Sequence, residues 1–599
     1  MHQSLCHHFA IVAVACVVFF TNLGIPKLWD RDEPRNAGCA VEMLQREGWV
    51  TPYFNGELRT HKPVLLYWLM MAAYWAFGVN EFGARFWSAA LAVGTVVTTY
   101  HIGRRLFNAQ VGLWAGVILA SSLMFDVAAR AATPDSVLIF LVTLSLLVYV
   151  YGTFGQRETD GDQFDKHGKG NFFPCQWMVV ATMYAVMGLA ILAKGPVGLV
   201  LPTAVIGMFL LIQRLPLVSG DQAQSPHSTG QWCLWIFRPF APRHFLQTCW
   251  AMRPITALAL SLAVALPWYL WVGIKTDGEW VKGFLWEHNF GRATQAMEGH
   301  GGFLLYYPVA ILIGFLPWSV FAAPTVIGMV RRLQRSDPWK NGYLFLACWV
   351  GVYVGVFTIA ETKLPSYVTP CYPALALLTG CFLYHWIQGV TLSAPSWLSI
   401  CLAVFALSGV VGAVAISIAA HFYLPGEQWL GLLGLLPVVS AVICYWLILK
   451  GKRQASAVVF AFSAIVLMTA IFGYGSVRVD RHRNVDQLIT EIKNEDETAD
   501  FCAFASLEPS WVFYHGKPIP LIRTHEAKTA YQYLKGGRNR YLITPRESFE
   551  TFRDQLHSEA TVLASTSYFL HAGEIVIVGR PFKRASMTRR EVREIAKDH

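Results

Sequence analysis

The amino-acid sequence predicts a polytopic all-α membrane protein of about thirteen transmembrane helices, with juxtamembrane helices outside and a small soluble α/β domain at the C-terminal end. Three observations lead there. Apolar runs of about 20 residues, each enough to cross a ~30 Å hydrocarbon core, recur through the first 475 positions. The 599 residues are 54% hydrophobic and only 14% charged, against roughly 25% charged in an ordinary soluble domain, so a soluble globule could not cover itself. Beyond 475 the long runs stop, and short apolar segments alternate with polar ones.

The spans read near 8–24, 84–102, 111–130, 134–151, 176–193, 196–213, 254–273, 303–330, 341–360, 366–386, 396–420, 428–449 and 455–474. The first, Phe9 to Gly24, lacks a basic start and a small-residue cleavage site and reads as an uncleaved span. Residues 64–79 (VLLYWLMMAAYWAFGV) are also apolar, but counting them would put Arg104 and Arg105 outside and invert every later loop. Left out, with the N-terminus inside, they let the cytoplasmic loops collect Arg104/Arg105, Arg157/Lys166/Lys169, Arg214/Arg238/Arg243/Arg253, Arg331/Arg332/Arg335/Lys340 and Lys450/Lys452/Arg453, as the positive-inside bias requires. The 64–79 run is then a juxtamembrane helix at the outer surface, where Tyr67, Trp68, Tyr74 and Trp75 suit the interface.

The net charge of +10 is therefore loop topology and not a nucleic-acid footprint; no nucleic-acid partner is expected. The twelve Cys are scattered, without the paired spacing of a zinc or redox motif. An odd span count leaves 476–599 outside. There the helix-like stretches Asn484–Asn494 and Thr524–Leu534 alternate with apolar runs at Phe501–Ala505, Arg540–Thr544, Thr561–Leu563 and Ile575–Val578, the pattern of a small α/β domain. The expected division is a membrane domain over 1–475, whose first outer loop is 25–83, and an extracytoplasmic domain over 476–599.

This topology sorts the unusual polar residues onto the outer face. Trp29-Asp30-Arg31-Asp32-Glu33-Pro34-Arg35 follows the first span directly. Carboxylates beside hydrocarbon are costly unless paired or solvated; Asp32 can serve as a base, while Asp32 and Glu33 also suit the N-terminal turn of a helix starting near Pro34. Asp135 begins a span and is open to the same two readings. Lys194-Gly195-Pro196 interrupts two apolar runs with a cation that either snorkels from a helix end or meets a lipid phosphate. Glu287-His288 with Arg292 beside it, and His300 beyond, could hold a metal or a phosphate. His61-Lys62-Pro63 and Lys363-Leu364-Pro365-Ser366-Tyr367 complete the set, and Lys62, Lys194, Arg292 and Lys363 together would place four cations on one face.

With these motifs in order, the sequence resembles the bacterial aminoarabinose transferases that modify lipid A and, more distantly, the dolichyl-phosphate-mannose protein mannosyltransferases, all of the GT-C fold. The resemblance is carried by Asp32-Glu33-Pro34-Arg35, Glu42-Met43-Leu44, Gly48-Trp49-Val50-Thr51-Pro52, Lys62-Pro63 through Tyr67-Trp68, Phe77-Gly78-Val79-Asn80, Asp135, Lys194-Gly195-Pro196, Glu287-His288, Pro317-Trp318 and Lys363-Leu364-Pro365, and it covers the whole membrane part.

The resemblance implies an inverting glycosyltransferase of the inner (plasma) membrane that moves a sugar from an undecaprenyl-phosphate type of polyprenyl-phosphate donor to a lipid, glycan or protein acceptor on the extracytoplasmic face. It makes Asp32 the carboxylate acting on the acceptor, with Glu33 and Asp135 as further active-site carboxylates. Lys62, Lys194, Arg292, Arg35 and Lys363 would hold the lipid phosphate, and His61, Glu287, His288, His300 and Tyr367 would line the cavity. A divalent metal ion, with His61, Glu287 and His288 as ligands, is compatible with this set; no other cofactor is implied. Two positions depart from the aminoarabinose transferases: His61 stands where they carry Glu, and Asn36 where they carry Tyr. Since a lipid phosphate is already an activated leaving group, no nucleotide pocket is needed, and the outer segments contain no Gly-rich phosphate loop. A polytopic transporter or lipid flippase is the rival reading, because intramembrane charges also line transport pathways.

Overall fold

The computed structural model describes residues 2–155, 172–215, 238–291, 302–390 and 396–581, except 30, 552, 554–559 and 572. Among the described residues, the chain forms two compact units, one of Met1–Lys27, Cys39–Tyr53 and Leu58–Val477, the other of Leu28–Gly38, Phe54–Glu57 and Arg478–His599.

The first unit is helical. Among the described residues, eight helices are long and apolar enough to cross a membrane: Pro134–Thr153, Trp177–Lys194, Pro254–Lys275, Lys340–Ile359, Pro365–Ile387, Trp397–Tyr423, Gln428–Leu449 and Arg453–Asp480. The count is ten if two bent pairs are each one span. The thirteen expected spans include three more helices that this count leaves out. Leu5–Phe20 and Val197–Gln213 are shorter, and Glu81–Leu106 carries Glu81, Arg85, Arg104 and Arg105 along its 26 residues.

The bent pairs correct the expectation of single continuous spans at 111–130 and 303–330. Ala109–Leu119 meets Leu123–Arg130 at 69°, and Tyr306–Gly314 meets Trp318–Leu333 at 118°. Pro317, which cannot donate a backbone hydrogen bond, lies in the second break. Backbone groups freed in an apolar layer must be satisfied inside the protein, and the two breaks satisfy each other. Leu123 N–H donates to Leu316 O at 3.0 Å, and the Trp318 indole donates to Ser121 Oγ at 3.0 Å.

Buried arginines play the same role at helix ends. Arg130 donates to the carbonyls of Val18, Phe19 and Thr21, where the first helix runs out, and to Phe472 O. Arg85 donates to Leu23, Pro26 and Lys27. The last carbonyls of a helix have no partner within it, so the Arg130 fork closes the end of the first helix, while Arg85 holds the segment that follows.

The 64–79 run folds as the helix Leu65–Phe77 of 13 residues, about 20 Å long and short of the hydrocarbon thickness. Its aromatic residues divide differently from the expected interfacial set. Tyr67 is fully buried and accepts a hydrogen bond from Arg59 Nε at 3.1 Å. Tyr74 is buried too, whereas Trp75 is 92% exposed.

The second unit holds a five-stranded sheet. The hairpin of β1 (Tyr53–Phe54) and β2 (Glu57–Leu58) precedes it in the chain, and its strands are β3 (Asp500–Phe504), β4 (Leu521–Ile522), β5 (Arg540–Pro545), β6 (Thr561–Ser567) and β7 (Glu574–Gly579), in the order β4-β3-β5-β7-β6. β3 pairs parallel with β4 and β5, and β7 pairs antiparallel with β5 and β6. Along β3, Phe501 and Ala503 enter one core with Leu488, Ile489 and Trp511, while Cys502 and Phe504 enter another with Ala530, Leu534 and Val576. A strand covered on both faces reads as a continuous apolar run, which is how it stood out in sequence. Unexpected from sequence is the inclusion of Leu28–Gly38 and Phe54–Glu57 in this unit, with Phe54 packed against the first of those cores.

Candidate active site

In the helical unit the centre of the site is an ion pair between two helix ends. Asp135 lies in the first turn of Pro134–Thr153, after Pro134 at a position that suits proline. Lys194 closes Trp177–Lys194, and Gly195 follows at φ 84°, a left-handed value that glycine adopts freely. An acid at a helix N-terminus and a base at a C-terminus each favour the local dipole. Here they also meet: Lys194 Nζ donates to Asp135 Oδ1, and the side chains are only 15% and 18% exposed. The Thr133 hydroxyl donates to Asp135 Oδ2 at 3.4 Å. Lys62 is close enough for its charge to act on the same carboxylate, and Lys194 Nζ stands 5.5 Å from the centre of the Tyr367 ring, within cation–π range. Thus Lys62, Asp135, Lys194 and Tyr367, spread over some three hundred residues, come together.

The loop bearing His61 and Lys62 is pinned from the far side of the sequence. Trp268 donates to Val50 O at 3.0 Å and Trp280 to Arg59 O at 2.8 Å. A Cβ on Gly283 would stand 3.0 Å from Thr60, so the π-helix Gly283–Gly291 packs directly against that loop. This brings His288 onto His61, with ring centroids 4.0 Å apart and planes tilted by 31°. Glu287, next along the chain, is exposed.

The remaining members of the predicted set have other surroundings. Lys363 is 7% exposed, and its Nζ donates to Thr358 O and Ala360 O, both at 2.9 Å, so it caps the end of Lys340–Ile359. The possible metal set also fails to assemble. His61 and His288 stack instead of splaying toward one point, and among the described residues no three His, Cys, Asp or Glu side chains are grouped to hold an ion. A closed or catalytic zinc site needs three or four protein ligands. Arg292 and His300 lie outside the described residues. Sequence reasoning missed Arg59, Trp268 and Trp280, whose partners are backbone carbonyls or a tyrosine hydroxyl and leave no spacing signal.

Asp32–Gln45 is a helix beginning two residues before the expected start, and its residues as far as Gly38 belong to the second unit. Asp32 is exposed in its first turn. Glu33 is 4% exposed, and its Oε2 accepts the N–H of Trp29 at 2.5 Å. That bond ties the carboxylate to the turn ahead of the helix. Arg35, one turn on, is half-buried.

Residues 9–276 match the family model of the dolichyl-phosphate-mannose-protein mannosyltransferases. Among curated relatives, the chain is 28% identical over 368 residues to an uncharacterized protein of Aquifex aeolicus, covering 61% of this chain and 62% of that one. It is 25% identical over 445 residues to the undecaprenyl phosphate-α-4-amino-4-deoxy-L-arabinose arabinosyl transferase of Pectobacterium carotovorum, covering 73% and 68%. Against the Yersinia pestis enzyme of the same name it is 26% identical over 360 residues, 59% of this chain and 55% of that one. The match thus spans less than two thirds of the Aquifex and Yersinia proteins. The crystal structure of ArnT from Cupriavidus metallidurans bound to undecaprenyl phosphate superposes with a TM-score of 0.71 at 21% identity, over 95% of this chain and 97% of that one. The fold is therefore GT-C: a polytopic membrane protein with a small sheet-containing C-terminal unit, ArnT- and PMT-like in sequence.

Proposed function

We propose that the protein is an inverting glycosyltransferase that moves a sugar from an undecaprenyl-phosphate type of polyprenyl-phosphate donor to a hydroxyl of a lipid, glycan or protein acceptor, at the extracytoplasmic face of the inner membrane. The observation that carries the reading is the Asp135–Lys194 pair with Lys62 beside it, two cations and a carboxylate at adjoining helix ends, on a fold shared with an enzyme crystallised with undecaprenyl phosphate.

In one displacement, the acceptor oxygen bonds to the anomeric carbon, its proton passes to Asp32, and the bond from that carbon to the phosphate oxygen breaks, the electron pair leaving with the polyprenyl phosphate. Charge builds on the phosphate, and Lys62 and Lys194 neutralise it. Preset cations in a site shielded from water do this with little reorganisation. Lys194 has three N–H donors; one meets Asp135, which fixes its direction and leaves others for phosphate oxygens. Arg35 and Arg292 belong to the same reading as further phosphate-binding cations, and Tyr367 lines the cavity. No step requires a metal ion. A transporter is not favoured, since the polar groups gather at these helix ends and no internal repeat is visible in the sequence.

The test is to incubate membranes containing the wild-type chain or Asp32→Asn with undecaprenyl-phosphate donors carrying 4-amino-4-deoxy-L-arabinose or mannose, and to identify products by mass spectrometry. Loss of a general base lowers turnover about 100-fold or more. Undiminished transfer by Asp32→Asn removes Asp32 from the mechanism. Sidedness is checked separately by a reporter fused after Val79, which reads as extracytoplasmic if the 64–79 helix does not cross.

A further inference from the structure

The exposed Asp32 belongs to the unit formed by residues 478 onward, and the segment just ahead of it is held there by specific side chains. Both polar groups of Leu28 are taken: its N–H donates to the Tyr514 hydroxyl at 2.9 Å, and its carbonyl accepts from Arg483 Nη2 at 2.9 Å. The Arg483 guanidinium is aimed by Asp480, 3.3 Å from its Nη1, and lies 5.2 Å from the centre of the Trp29 ring. Phe569 meets the Trp29 ring edge to face, with centroids 5.9 Å apart. The Trp29 N–H then reaches Glu33, the residue next to Asp32. A second strap comes from Asn55, whose side-chain amide exchanges two hydrogen bonds with the backbone of Ile519, at 3.0 and 2.7 Å.

We infer that the C-terminal unit is a positioning element for the acceptor-side carboxylate, with Arg483 and Tyr514 as positioning residues that act through Leu28, Trp29 and Glu33 on Asp32. The inference rests on the reading of Asp32 as the base. The physical ground is that Asp32 lies only four positions beyond Leu28. With the peptide groups of Leu28, the Trp29 ring and the first helical turn all held, Asp32 keeps one direction, and misplacing a reacting group by about 1 Å can cost about 100-fold in rate. A free carboxylate on a loop would have to be ordered in every turnover.

The experiment uses the full-length chain, purified in detergent, with undecaprenyl-phosphate-4-amino-4-deoxy-L-arabinose as donor and lipid A as acceptor. Removing one such hydrogen bond, as in Tyr514→Phe, lowers kcat about threefold, and Arg483→Gln, which loses the ring contact as well, lowers it about tenfold or more. Donor KM stays unchanged, and hydrogen exchange in the peptide spanning 28–38 rises in both variants. Tyr541→Phe, which removes a hydroxyl bonded to Asp496 elsewhere in the same unit, leaves kcat at the wild-type value. The readout that a merely structural role would not move is the combination with Asp32→Asn: if Arg483 acts through Asp32, adding Arg483→Gln causes no further loss. Wild-type kcat in Arg483→Gln, or losses that multiply in the double variant, overturns the inference. An Asp32→Asn protein with full activity instead removes the base assignment beneath it.

Discussion

Replacing Lys194 by Met is the most exacting test of the helix-end pair. Both side chains are more than four-fifths buried, so the substitution leaves a carboxylate in a site built around a cation. Breaking a buried pair from one side costs about 3–5 kcal/mol. The figure here belongs at the lower end, about 3 kcal/mol, because three things still favour the Asp135 charge: the Thr133 hydroxyl, the helix N-terminus and the Lys62 ammonium. Asp135→Asn is milder, since Lys194 keeps the Tyr367 ring and its own helix C-terminus. Combining the two removes the orphaned charge and restores about 2 kcal/mol relative to the sum of the singles. Thermal melts in detergent should therefore rank wild type first, Asp135→Asn next, the double variant about 1 kcal/mol below it, and Lys194→Met last. In the same samples, stabilisation by added undecaprenyl phosphate reports affinity. It falls about 10- to 100-fold in Lys194→Met, the worth of one charge-assisted hydrogen bond, and the double variant binds no worse. Strict additivity of the melting shifts would refute the coupling of the pair. Unchanged affinity in Lys194→Met would refute its role at the phosphate.

Two further outcomes follow from the structure. Lys363→Met strips the cap from Thr358 and Ala360 and lowers stability by about 1–3 kcal/mol while leaving undecaprenyl phosphate affinity unchanged; a tenfold weaker affinity would return Lys363 to the phosphate site. His515 in the C-terminal unit is 5% exposed, and burial, with Lys493 and Lys517 nearby, holds its pKa down to about 4. The folded ring stays neutral where the unfolded one takes a proton, near pH 6.5. Stability is thus level above about pH 6.5 and falls as the pH drops toward 4. Melting curves of His515→Phe should lose that slope, and a slope equal to wild type would assign it to other groups.

The legible part of this protein was local. Pro134, Asp135 and Lys194-Gly195 stood out because charges and helix breakers interrupt apolar runs, and those same residues end helices in the structure. Strands β3, β5 and β7 were visible as short apolar runs because the sheet is covered on both faces. The backbone partners of Glu33 and Lys363 were hidden for one reason. A charged residue near a membrane segment looks the same in sequence whether it faces a ligand or a backbone group, and the backbone groups that occupy these two belong to unfavourable turns and helix ends whose needs appear only in three dimensions. The breaks at 120–122 and 315–317 were hidden likewise, since each is satisfied by the other.

By itself, the sequence determined that the chain threads a membrane many times and that carboxylates and cations such as Asp135 and Lys194 sit at helix ends, because hydropathy and helix-end chemistry act over a few residues. Tertiary structure alone decided the partnerships. Asp135 meets Lys194 from 59 positions away, and Leu28 is held by Arg483 from 455 positions away. Hydrogen bonds and ion pairs reach only about 3–4 Å, so which of the many polar residues become neighbours depends on how the helices and the sheet pack, a property that no local pattern records.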